Sequence, residues 1–81
     1  MIIRVRLFAA AREIAKCDVL ELDLPAGATI GQLRQALVRQ IPELAGLARQ
    51  MMFALGTEYA ADSATIPDGG HVACIPPVSG G

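Results

Sequence analysis

The residues of this 81-residue chain best suited to chemistry are its last six, Pro76-Pro77-Val78-Ser79-Gly80-Gly81. Two prolines fix φ near the polyproline value and remove two backbone donors, so a strand arriving at Ile75 cannot go on pairing. At roughly 3.1–3.4 Å per residue, six residues reach on the order of 20 Å. Gly80 and Gly81 carry no side chains, which leaves a carboxylate at Gly81 unshielded and slim enough for a narrow channel. Terminal carboxylates as a class titrate at about 3.3–3.7, so they are ionised at neutral pH and inert toward nucleophiles until activated. The pattern predicts a globular part, residues 1–75, and an arm, residues 76–81, that delivers its own carboxyl group into another protein.

Other side chains offer little. Cys17 and Cys74 fit no CxxC or zinc spacing, and no metal ligand set is expected. The one histidine, His71, lies three residues from Cys74, so on a strand the two face opposite sides and no Cys-His nucleophile forms. Between Ala73 and Ile75, Cys74 reads as a small core residue. Gly69-Gly70 lacks the spacing and lysine of a phosphate loop.

The bulk composition narrows the partners. Six arginines and one lysine (Lys16) stand against eight acids, a net charge of −1, and no basic run points to nucleic acid or an anionic membrane. No apolar stretch approaches the ~18 residues of a membrane span. The start, Met1-Ile2-Ile3-Arg4-Val5-Arg6, alternates like a strand rather than a signal peptide, so a cytoplasmic protein is expected. With 53% hydrophobic residues but only Phe8, Phe53 and Tyr59 as aromatics, the core must be aliphatic. So apolar a small chain is also expected to keep apolar surface for a partner.

Hydrophobic periodicity supplies the elements that must position the arm. Ile3, Val5 and Leu7 alternate with Arg4 and Arg6, which predicts a strand with Phe8 on its arginine side. Residues 9–15 favour a short helix. Leu20, Leu22 and Leu24 alternate with Glu21 and Asp23, predicting an antiparallel partner whose acids meet Arg4 and Arg6. After the turn at Pro25–Ala28, Thr29 and Gln32 match a capping box. Ile30, Leu33, Leu37 and Ile41 then mark the main helix, with Arg34, Gln35 and Arg39 placed outside. A short helix is expected over Glu43–Arg49, a buried strand over Met51–Leu55 and a weak one over Glu58–Ala60. A tight turn at Asp68-Gly69-Gly70 precedes a last strand, His71–Ile75. The fold class is α+β, a mixed sheet packed on one main helix.

This layout with this ending resembles the ubiquitin-like β-grasp sulfur carriers, and among them the small-subunit family of molybdopterin synthase. The resemblance spans the whole chain. It is most specific at Leu7-Phe8-Ala9 through Arg12-Glu13, at Asp68-Gly69, at Val72-Ala73 and at the Pro-Pro-Val-Ser-Gly-Gly ending, which sets it apart from the thiamine-pathway carriers. The chain departs from the family pattern at Gly70-His71, where an acidic pair is usual, at Gly56 in place of a common asparagine, and at Ile75 in place of larger aromatics.

The resemblance implies a ubiquitin-like β-grasp fold and a sulfur carrier for molybdenum cofactor biosynthesis. A ubiquitin-activator-like enzyme adenylates Gly81 with ATP, and a sulfur donor protein converts it to a thiocarboxylate (a 1-thioglycine). The arm then donates sulfur to cyclic pyranopterin monophosphate inside the large synthase subunit, in a heterotetramer. No permanently bound cofactor is implied, and the chain is not catalytic alone. By family position Phe8, Tyr59 and Ile75 form the partner-binding patch with Arg12 as a polar anchor, and Pro76, Pro77, Val78 and Ser79 line the inserted arm. Two alternatives stand beside this one: a carrier of another, thiamine-type pathway, and a ubiquitin-like modifier of other proteins.

Overall fold

The N-terminal alternation becomes β1, Ile2–Leu7, with Ile3, Val5 and Leu7 buried and Ile2, Arg4 and Arg6 exposed. The computed structural model describes residues 1–77. After β1 come α1 (Ala9–Ala15), β2 (Val19–Asp23), α2 (Ile30–Gln40), a 3-10 turn (Pro42–Leu44) and α3 (Ala45–Ala48). The chain then forms β3 (Met52–Leu55), β4 (Glu58–Ala60) and β5 (His71–Ile75). These strands make one mixed sheet in the order β2-β1-β5-β3-β4, in which only β1 and β5 run parallel. No helix among the described residues is long and apolar enough to cross a membrane.

The main helix starts where the capping box places it. Thr29 Oγ1 accepts from the Gln32 N–H at 3.3 Å, and Gln32 Oε1 accepts from the Thr29 N–H at 2.8 Å. Ile30, Leu33 and Leu37 are fully buried, and they share one core with Ile3, Val5 and Leu7 of β1, Phe53 of β3, and Val72 and Cys74 of β5. At about 1.5–3 kcal/mol for each such side chain, burial rather than propensity holds this 11-residue helix on the sheet. Among the described residues no helix covers the opposite face of the sheet.

Three expectations are corrected. Only one of the two cross-strand ion pairs forms: Arg4 Nε meets Glu21 Oε2 at 3.2 Å, but the register sets Arg6 opposite Val19 and Asp23 opposite Ile2. Alternation fixes which face a residue takes; it leaves the two-residue register open. Arg34 is not outside the fold. Its side chain is only 20% exposed, with bonds to two backbone carbonyls described below. The Met51–Leu55 run is not buried throughout, because β3 begins at Met52 and turns that side chain out.

The turn before β5 leaves no room for a side chain at Gly70. A Cβ at this position would lie 2.8 Å from the Pro67 carbonyl oxygen and 3.1 Å from Ile66 Cγ2. The Gly70 N–H already donates to that Pro67 oxygen at 3.0 Å, and the Gly70 carbonyl accepts from Arg4 N–H at 3.3 Å. Backbone on both sides prevents easy relaxation. Gly70→Ala is expected to destabilise the fold by about 1–3 kcal/mol, measured by urea unfolding.

Candidate functional site

Parallel pairing of β1 with β5 is the step that assembles the site. Strands that run parallel end side by side, so the ends of β1 and β5 meet. Leu7 pairs with Cys74, and the next residue's N–H, that of Phe8, donates to the Cys74 carbonyl at 3.2 Å. Phe8 therefore neighbours Ile75 at the point where the chain leaves the sheet. Pro76 is buried and Pro77 exposed, so the described chain emerges between the two prolines. Val78, Ser79, Gly80 and Gly81, and with them the expected reactive end, lie outside the described residues.

The open face of the sheet surrounds this exit. Side-chain parity and register put Ile2, Arg4 and Arg6 of β1, Val19 of β2, His71, Ala73 and Ile75 of β5, Met52 and Ala54 of β3 and Tyr59 of β4 on that face. The large apolar residues most exposed among the described ones are Ile2, Phe8, Val19, Met52 and Tyr59. All five fall on this face or, for Phe8, at its edge. A soluble surface scatters such residues; here they gather on one sheet face.

Of the expected binding residues, Phe8 (39% exposed) and half-buried Ile75 are neighbours, and Ile75 pairs with Met52 across β3. Tyr59, 65% exposed, pairs with Ala54 one row further along. Arg12 sits on α1 beside Phe8, its Nε 3.8 Å from Asp18 Oδ1 in an exposed pair. Met52 was missed. Parity carried the signal, since Met51 and Phe53 both point inward and the residue between them must point out.

Behind the face, Arg34 ties three segments together. Its guanidinium donates to the Ala48 carbonyl, to the Met51 carbonyl at 2.7 Å and to Asp62 Oδ1 at 2.7 Å, and it lies 4.9 Å from the centre of the Phe53 ring. Cys74 packs alongside, with Sγ 3.4 Å from Met51 Sδ. Burial pushes the Cys74 thiol up to about 11 from an ordinary 9.0, with the Arg34 charge acting in the opposite sense. Folding thus favours the neutral thiol. Its contribution is complete below about pH 9 and is lost as pH rises through about 11. Wild-type stability is expected to fall more across that window than that of Cys74→Ala, with urea midpoints as the readout. His71 is exposed and Cys74 buried on the other face, so the two form no nucleophilic pair.

A mixed sheet folded over one main helix, with a bare outer face leading to the chain exit, defines a ubiquitin-like β-grasp protein. The chain belongs to the ThiS family, whose model matches residues 5–81. It is 39% identical over 79 residues to the molybdopterin synthase sulfur carrier subunit of Arabidopsis thaliana, covering 98% of this chain and 82% of the relative. The protein of the same name from Chlamydomonas reinhardtii is 36% identical over 83 aligned positions, covering all of both chains. Among solved structures, SAMP1 from Haloferax volcanii, a small archaeal modifier protein, matches with a TM-score of 0.87 at 28% identity, covering all of both chains.

Proposed function

We propose that this chain is the sulfur carrier subunit of a molybdopterin synthase. One observation carries the reading: likeness to proteins of that name extends over the whole chain, and the family match runs through Gly81. The open sheet face around Phe8, Ile75 and Met52 supports it, because a carrier needs a docking surface at the root of its arm.

In this reading Gly81 holds the reactive carboxylate and Gly80 keeps the approach narrow. An adenylating enzyme joins the carboxylate to AMP from ATP, releasing pyrophosphate. The sulfur of a donor's persulfide displaces AMP, and a thiol cleaves the resulting acyl disulfide to leave a thiocarboxylate. The arm of Pro76, Pro77, Val78 and Ser79 then enters the large subunit, where the sulfur attacks the cyclic pyranopterin monophosphate. Hydrolysis of the acyl link returns the carboxylate. A dithiolene needs two sulfurs, so each product consumes two carrier turnovers, in keeping with a heterotetramer working in the cytoplasm. The chain itself supplies no general base; it supplies position.

The experiment is an intact-mass measurement after incubation with the activating enzyme, ATP and a sulfur donor. One oxygen-to-sulfur exchange located at Gly81 is the expected result, and an unchanged mass with partners proven competent overturns the proposal. The likeness to a small archaeal modifier favours a second reading, in which activated Gly81 forms an isopeptide bond with lysines of other proteins. A ladder of conjugates on immunoblots of cells, absent when Gly81 is deleted, would establish it.

A further inference from the structure

We propose that Arg6 is the charge-recognition residue of the open sheet face and receives an aspartate or glutamate side chain of the large subunit. The inference rests on the carrier reading and names what one part of that docking surface binds.

Three of the arginines in the fold have an acid of their own: Arg4 has Glu21, Arg12 has Asp18 and Arg34 has Asp62. Arg6 has none among the described residues. Its cross-strand neighbours are Val19 on β2 and Ala73 on β5, neither of which offers an acceptor side chain. Register has thus left one guanidinium on the face with its charge unanswered.

The surface around it is shaped to admit a side chain. Arg6 lines a concavity of about 350 Å³ floored by Ala54 and Ala73 and flanked by Arg4 and His71. It also lines a second hollow of about 220 Å³ with Phe8, Arg12 and Asp18, whose carboxylate is engaged by Arg12 at 3.8 Å, and Arg6 is the one residue the two hollows share. Two alanines side by side lower the floor where a partner's group would seat. The hollows are continuous with the apolar patch at the chain exit, since Arg6 lies two residues before Phe8 on the same face.

The charge pattern selects a carboxylate borne on a protein. Nucleic acid or a phosphorylated membrane would call for a track of several free cations, whereas the chain carries a net charge of −1 and this face presents one unanswered arginine. With Arg4 held by Glu21 and Arg12 by Asp18, Arg6 is the guanidinium left for a partner, and with Phe8, Val19 and Ala73 also lining its hollows it matches an acidic side chain carried on an otherwise apolar segment. Its fork accepts a carboxylate in a two-point contact that a lysine cannot reproduce.

The test measures binding of the full chain to the large subunit at two salt concentrations for wild type, Arg6→Lys, Arg6→Gln and Arg6→Glu. Each variant is first checked for sulfur loading by intact mass and for unchanged melting. Arg6→Gln is expected to weaken binding roughly tenfold and flatten its salt dependence, and Arg6→Glu to weaken it on the order of a hundredfold or more. Arg6→Lys should fall between wild type and Arg6→Gln. One acid-to-amide change in the large subunit should cost nothing further once Arg6 is Gln. Sulfur-loaded wild type and Arg6→Glu binding within twofold of each other, with equal salt dependence, overturns the inference and leaves the carrier reading intact. So does a loss confined to the activating enzyme, or the absence of any coupled acid. Failure of wild type to load sulfur or to bind the large subunit overturns both.

Discussion

Deleting Gly81, or adding one residue after it, is expected to abolish sulfur transfer while the globular part melts as before. An added residue moves the terminal carboxyl by about 3.3–3.6 Å along an extended chain. Misplacing a reacting group by even ~1 Å costs on the order of a hundredfold in rate, so a full-residue error leaves no useful transfer. Deletion draws the group back by the same length and places it where Gly80 had been. Neither change touches the core, which closes among residues 3–74, so unfolding free energies should agree with wild type within ~0.5 kcal/mol. Single-turnover sulfur transfer in the reconstituted complex is the measurement, starting from thiocarboxylate installed chemically so that activation is bypassed. Full transfer by either variant would place the reacting group elsewhere. Gly80→Ala provides a graded case, since it retains the reach and adds only a methyl group to the approach.

How the strands that lead to the chain exit come together was partly legible from residue order. The alternation of Ile3, Val5 and Leu7 with Arg4 and Arg6 gave the inner and outer faces of β1 correctly, and it placed Phe8 outside. The Thr29–Gln32 reciprocal bonds and the Ile30, Leu33, Leu37 stripe were equally plain, because a helix start and one helix face are local properties. The parallel contact of β1 with β5 was not. It joins residues near 4–7 to residues 71–74, and nothing local encodes that choice. Yet this contact sets Phe8 beside Ile75 and so joins their side chains into one patch where the chain leaves the sheet.

Register was the second hidden quantity. A slip by two residues preserves every inward side chain and exchanges the ion-pair partners, and the difference decides whether Arg6 faces an acid or Val19. The apolar run Met51–Leu55 concealed Met52 for a related reason. When every residue is hydrophobic, composition carries no alternation, and only the pleat reveals which side chain points out. Gly70 looked like an ordinary turn glycine from sequence; the nearby Pro67 carbonyl makes it a packing requirement.

Arg34→Ala is expected to destabilise the fold by about 2–4 kcal/mol. Helical periodicity placed this arginine in solvent because its partners lie 14, 17 and 28 residues away. The carbonyls of Ala48 and Met51 face it at the junction of α3 and β3, where no strand or helix ladder extends across. The two hydrogen bonds from this charged donor contribute about 1.5–3 kcal/mol together once water reaches the vacated carbonyls. The guanidinium also lies over Phe53, adding about 0.5–1 kcal/mol through the ring face. The Asp62 arm adds little, since that carboxylate is 59% exposed and screened by water. Asp62→Asn should therefore cost less than ~1 kcal/mol, and the contrast between the two variants separates backbone anchoring from ion pairing. Arg34→Lys should recover only part of the loss, because one ammonium cannot span two carbonyls in a fixed fork. For a domain of this size a loss of that order lowers the melting temperature by roughly 10–20 °C, a shift that thermal unfolding resolves easily. Equal melting of Arg34→Ala and wild type would mean that the junction of α3 and β3 is held by the Leu44, Met51 and Phe53 core alone. The docking face on the far side of β3 would then need no anchor from the helix.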